Sequence, residues 1–301
     1  MNTHAKGVLG TLLVTGLGFC LLASCGKGSP GDGSHTESAQ SQKRRARQVA
    51  EAWEGSASAS IWNKGYYPMG DVVQGPPSGW HSQADKRAFE AKNYVLSGKL
   101  PTAGAQQGKV SWKNGDALDR PLSSAQAAYD SLALNNTKGP HLTVTGARLG
   151  EATIVTSRGE AKVPAWLFTL HGYDEPLKRL AVSPSRLPKS PIKQLGQGES
   201  GGLRSLAGLA DMPNDGRFVT VVATHGSCDD GPVVKAFETD QSVVLYAAVV
   251  GEREGPCNAS MAEQRVKVEL REPVADRILI DALTGRPIPY ADRNGSSPSW
   301  T

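Results

Sequence analysis

HLTVTGARLGEATIVTSRGEAKVPAWLFTLHG, residues 141–172, changes the period of the chain. Within it the segments 142–148, 151–156 and 161–170 are rich in Val, Thr, Leu, Ile and Ala, and Ser157-Arg158-Gly159-Glu160 offers a turn between the last two. Such side chains at a period of two cover alternate faces of an extended backbone, so each segment predicts a strand. The run at 178–183 adds a fourth. Together they read as an antiparallel meander.

Upstream of the meander the period is helical. Ala46, Val49, Ala50 and Trp53 recur at the spacing that lines one helix face, which predicts a helix over 38–55. Ser82-Gln83-Ala84-Asp85 has the form of a capping box, and Ala84, Ala88, Ala91 and Val95 continue one stripe to about Ser97. Val110-Ser111-Trp112, the Asn114-Gly115 turn and the run to Leu122 predict a hairpin. Ser123 or Ser124 then caps a third helix to about Leu134. Residues 184–202 are full of helix and strand breakers and read as a linker. Beyond them a short helical stretch is expected from Leu203, then strands at 217–224, 233–238, 242–250, 265–270 and 277–281.

The fold class is therefore α+β: N-terminal helices on a small antiparallel sheet, followed by a mainly antiparallel β domain. Composition agrees, since 34 glycines and 19 prolines favour turns and short strands over long helices. The formal charge of +4 is small and spread along the chain, which gives no case for a nucleic-acid partner.

The first two dozen residues stand apart. Met1–Gly7 carries one lysine and no acid, 8–22 is an uncharged apolar run, and Leu22-Ala23-Ser24-Cys25 ends it. The run is too short for a comfortable membrane span. This arrangement resembles the signal of bacterial lipoproteins, whose box ends in an obligatory cysteine. The resemblance implies cleavage after Ser24 and lipidation of Cys25 by diacylglycerol, leaving the chain lipid-anchored on the outer face of the cell membrane. An ordinary secretory signal or an uncleaved anchor is the alternative, and either would still export the chain. The implied boundaries are a signal over 1–24, a flexible tether over 25–37, a helical and aromatic region with its meander over 38–186, a linker over 187–202, a β domain over 203–292 and a tail over 293–301. Lys43, Arg44, Arg45 and Arg47 fall close to the tether, where they could touch anionic lipid heads or simply form a solvated helix face.

The last quarter of the chain resembles a segment of poorly characterised exported lipoproteins of actinobacteria. The residues behind this are Gly226-Ser227-Cys228, Pro256-Cys257, Val268-Glu269-Leu270, Pro273, Arg277, Asp281 and Thr284-Gly285-Arg286-Pro287. That family has no settled activity, so the resemblance implies a context and no catalytic residue.

With the chain outside the membrane, Cys228 and Cys257 are the two cysteines left, and an even pair there points to a disulfide. A catalytic thiol would need a free thiolate and a positioned base, for which His225 is the neighbour, and a metal site would need ligands that no spacing supplies. No cofactor is expected. Trp62, Tyr66, Tyr67 and Trp80 crowd a segment rich in Gly and Pro. They are either buried to hold that segment down or exposed as a platform for a sugar or peptide. Gly198-Glu199-Ser200-Gly201-Gly202 matches the turn that exposes a nucleophilic serine in α/β-hydrolases, and Asp211 and His225 follow in order. The breaker-rich residues before Ser200 do not supply the buried strand such a turn requires. The expected function is accordingly a membrane-tethered binding or accessory module, with a wall polymer, peptide or protein as partner. The alternative is an extracellular hydrolase using Ser200 and His225.

Overall fold

The alternation that begins at Leu142 is realised as one long hairpin. The computed structural model describes residues 32–291, apart from 103–106, 136, 214, 252, 254–256 and 259. The expected signal over 1–24, Cys25 and the tail over 293–301 lie outside the described residues.

In chain order, the first half holds α1 (Asp32–Trp53), α2 (Ala57–Lys64), β1 (Val73–Gln74), α3 (Gln83–Glu90), β2 (Tyr94–Leu96), β3 (Gln107–Trp112), β4 (Ala117–Pro121) and α4 (Ala125–Leu132). Then come β5 (Leu142–Thr156), β6 (Gly159–Leu170) and β7 (Leu177–Leu180). After a 3-10 turn at Gln197–Glu199 follow β8 (Leu203–Arg204), β9 (Leu206–Asp211), β10 (Phe218–His225), β11 (Gly231–Glu238), β12 (Ser242–Val250), β13 (Ala262–Glu269) and β14 (Ile278–Asp281). The fold is mixed α+β and mostly β.

β5 and β6 pair antiparallel from Thr156 opposite Gly159 to Val144 opposite Leu170. The turn between them is built by Thr156, whose buried Oγ1 accepts the Arg158 N–H at 3.1 Å and donates to the Gly159 carbonyl at 2.7 Å. Gly159 has φ +85°, the left-handed conformation that costs glycine least. The expected break near residue 150 does not occur. Gly150 stays in the strand, paired with Ala165, and its missing Cβ leaves room for the Leu167 side chain, 2.6 Å from where a Cβ would be. Trp166, Leu167 and Phe168 are all buried, so the centre of β6 is covered on both faces.

The hairpin is the spine of a seven-stranded sheet. β7 and β3 pair with β6 on its other side, β1 pairs with β7, β4 with β3, and β2 pairs with β5 in parallel. The sheet is thus larger than expected and not purely antiparallel. The parallel strand is a correction: 94–96 was expected to continue a helix. Ser82 does cap α3, its hydroxyl accepting the Asp85 N–H at 3.1 Å. The helix nevertheless stops at Glu90, and Lys92 turns the chain at φ +54°. Tyr94 then enters the sheet opposite Leu142. Ser124 caps α4 through the Ala127 N–H at 3.1 Å, as expected.

The second half contains a three-stranded antiparallel sheet ordered β13-β10-β9 and a four-stranded sheet in which β12 pairs with β11, β8 and, in parallel, β14. The helical stretch expected at Leu203 is instead β8 and β9, whose Leu203, Leu206 and Leu209 are buried. Of the N-terminal helices, α3 and α4 pack on the first sheet as expected, through Ala88, Ala125, Ala128 and Leu132, whereas α1 and α2 do not. Ala46, Val49, Ala50 and Trp53 of α1, with Ala59 and Trp62 of α2, share one core with Val221, Val243, Leu245 and Ile280. The first sheet has a separate core around Phe168, Val163 and Tyr129.

One buried polar cluster fixes α1 to this second core. Arg45 is 7 % exposed, and its Nε and Nη2 donate to the carbonyls of Ala282 (2.9 Å) and Lys193 (2.7 Å). Burial opposes its charge and the Asp281 carboxylate supports it. Asp281, 4 % exposed, accepts the N–H groups of Leu206 (3.2 Å) and Leu283 (2.8 Å). Burial outweighs these hydrogen bonds and raises its pKa from 3.8 to about 6. In the folded state the carboxyl therefore takes up a proton at a pH where the unfolded chain does not. Stability should rise by about 3 kcal/mol as pH falls from about 7 to about 3, relative to an Asp281→Asn variant that has no such group. Urea titrations of both proteins across that window measure the difference, and parallel profiles would contradict it.

Candidate functional site

β10 and β11 are joined by THGSCDDG, and Asp229 organises the turn. Its carboxylate accepts the N–H groups of Gly226 (2.8 Å) and Gly231 (3.0 Å) and faces His225 Nδ1 at 2.9 Å. The cost of shielding its charge from water is outweighed by these bonds and by His225, so its pKa lies below the ordinary value. Asp230 pairs with Arg253 at 2.6 Å, and the Arg253 N–H donates to the Cys228 carbonyl at 2.8 Å. The turn is therefore tied to the chain that follows β12.

Cys228 and Cys257 close this end of the fold with a disulfide, their Cα atoms 5.8 Å apart. The bond links the β10–β11 connection to the β12–β13 connection across 29 residues of sequence. A cavity of about 290 Å³ lies against it, with Arg204, Asp229, Arg253 and Met261 among its walls. Cys228 is oxidised here and cannot act as a thiolate nucleophile in this state.

Ser200 lies elsewhere. It follows the 3-10 turn and precedes Gly201 and Gly202, and the Gly201 carbonyl accepts Ser38 Oγ (3.0 Å) and Gln42 Nε2 (3.1 Å) of α1. No strand leads into Ser200, so the strand–turn–helix elbow of a hydrolase nucleophile is not built here. The acid that engages His225 is Asp229, and Asp211 is exposed at the end of β9. Ser200 therefore does not sit on such an elbow, and the acid at His225 is Asp229.

The aromatic residues are packing elements. Trp62, Tyr66 and Tyr67 are each at most 2 % exposed. Trp62 and Tyr67 stack at 4.2 Å, and the Tyr67 hydroxyl donates to the Arg186 carbonyl at 3.0 Å. Tyr66 faces the first core and Tyr67 the second, so neighbouring rings pin the segment to both. Trp80 is half-buried, with Phe89 at 4.7 Å and Tyr173 at 5.8 Å. A shared exposed platform of Trp62, Tyr66, Tyr67 and Trp80 is therefore corrected: three of the four rings are buried and help to hold this segment down. Arg45 is likewise taken from the basic face of α1, leaving Lys43, Arg44 and Arg47 exposed.

A larger cavity was not legible in the sequence. About 590 Å³ lies between the α1–α2 corner, the Thr239–Ser242 turn and the 272–278 loop. Trp53, Ala59 and Ile278 give it an apolar floor, while Glu54, Asp240, Glu272 and Asp276 are exposed around it. Their spacing in sequence carries no signal, because three separate segments meet only through the fold. Among the described residues no group of three or more His, Cys, Asp or Glu side chains forms a metal site, and no helix is long and apolar enough to cross a membrane. Comparison with protein-family models, curated proteins and solved structures finds no match to this chain.

Proposed function

We propose that this chain is an exported lipoprotein, anchored to the outer face of the cell membrane by the lipid on Cys25, that serves as a non-catalytic binding or accessory module. The observation that carries the reading is the Cys228–Cys257 disulfide, because such bonds persist in oxidising compartments outside the cytosol. It agrees with the export signal read from Leu22-Ala23-Ser24-Cys25. The separation of Ser200 from a strand and the pairing of His225 with Asp229 favour binding over hydrolysis. A wall polymer, peptide or protein at the cell surface is the partner this reading assigns.

Two acyl chains on Cys25 would hold the protein durably, at about 0.8 kcal/mol per buried methylene. Cys25→Ser should therefore abolish membrane retention, releasing the protein to the medium or leaving it unprocessed. Fractionation and immunoblotting read this out. Unchanged retention with normal processing would overturn the anchor.

A further inference from the structure

We propose that the 590 Å³ cavity beside Trp53 binds a ligand that carries ammonium or guanidinium groups on an apolar stem, of the size of a short basic peptide. This gives the binding reading above a ligand class and rests on that reading only in taking ligand capture as the role.

The cavity comes first. Its volume falls in the range of a few hundred to about a thousand Å³ that small-ligand sites occupy. Its apolar lining comes from Pro273 and the exposed Ala275, with the nearly covered Trp53 and Ile278 beside them, and suits an alkyl stem rather than a second charge. Its walls are already built. Arg277, in the 272–278 wall, is spent on Glu238 Oε2 at 3.0 Å and on the carbonyls of Pro273 and Glu272, and both side chains of the ion pair are more than nine-tenths buried. Glu238 also accepts the N–H groups of Arg271 and Glu272 (3.0 and 3.3 Å). These bonds lock the wall, so a ligand need not spend binding energy ordering it.

Charge then selects the occupant. Glu54 just after α1, Asp240 on the β11–β12 turn, and Glu272 and Asp276 on the wall come from three segments. None of the four is in an ion pair among the described residues. Arg277, the one cation among the described lining residues, is committed to Glu238. The negative rim runs against the chain's overall charge of +4, so it is local rather than a by-product of composition. Single exposed pairs are weak, and affinity here depends on several meeting one ligand above an apolar floor.

The test is calorimetric titration of the full, membrane-extracted protein with trilysine amide, and with triglutamate as the opposite charge. Saturable one-to-one binding of trilysine alone is expected, weakening as salt is raised. The double variant Asp240→Asn/Asp276→Asn, at two exposed positions, should weaken it about tenfold. Glu151→Gln/Asp174→Asn makes the same change in net charge at exposed positions on the first sheet and its turn, and should leave affinity unchanged. Absence of saturable trilysine binding, or equal weakening by both double variants, would overturn the site. Either result together with Cys25-dependent retention removes the ligand class and leaves the anchored module standing.

Discussion

Arg45→Ala is expected to lower the unfolding free energy by about 3–5 kcal/mol, although Arg45 stands among four basic residues, Lys43, Arg44, Arg45 and Arg47, that read as a solvated face. The loss has two parts. The carbonyls of Ala282 and Lys193 lose their charged donor, and the buried Asp281 loses the cation that supports it. Arg44→Ala removes an equal charge from an exposed position one residue away and should change stability by no more than about 0.5 kcal/mol. Urea unfolding of the two variants measures the contrast. Equal, small effects would mean that the cluster does not hold α1 to the second core.

Loss of the disulfide should have the next largest effect. Cys228→Ser/Cys257→Ser, or full reduction, frees a loop of 29 residues and should cost about 3–4 kcal/mol by the chain-entropy account. The turn itself should survive in part, because Asp229 still accepts the N–H groups of Gly226 and Gly231 and still faces His225. The unreduced exported protein should titrate with no free thiol at Cys228 or Cys257. A difference below about 1 kcal/mol between oxidised and reduced protein would show that the bond constrains little of the unfolded chain.

These two predictions mark where the sequence was legible and where it was not. Local rules worked wherever neighbours in sequence decide the outcome. The helical face of Ala46, Val49, Ala50 and Trp53 is buried, Ser82 and Ser124 cap their helices, and the Asn114-Gly115 turn closes the β3–β4 hairpin. The rules failed where a distant partner decides. Val95 continues a helical stripe by spacing, yet Tyr94–Leu96 gains more from pairing with β5 than from one further helical turn. Leu203, Leu206 and Leu209 look helical alone and become strand positions because β12 and β10 are there to receive them.

The candidate site divided in the same way. Cys228 and Cys257 were paired from the compartment that the signal implies, and the fold brings their loops together. Asp229 and His225 lie four residues apart in sequence, and the turn brings them to 2.9 Å. Arg45 could not be told from Arg44 by composition, because what distinguishes them is the carbonyl of a residue 237 positions away. Asp281 read as the polar end of a strand, and its burial follows only once β14 lies beside β12 and Leu206 passes over it. Trp62, Tyr66 and Tyr67 crowd a segment that must be either covered or used, and the fold covers them. The carboxylates around Trp53 belong to turns and helix ends that no periodicity connects.

The proposed function, an oxidised and lipid-anchored module outside the membrane, is tested most directly by the intact mass of the protein extracted from membranes without reductant. The expected mass is that of a chain beginning at Cys25 that carries diacylglycerol and is two hydrogens lighter than its fully reduced form, with the deficit mapped to a peptide pair containing Cys228 and Cys257. A chain that retains Met1, bears no lipid and yields Cys228 as a free thiol would contradict it.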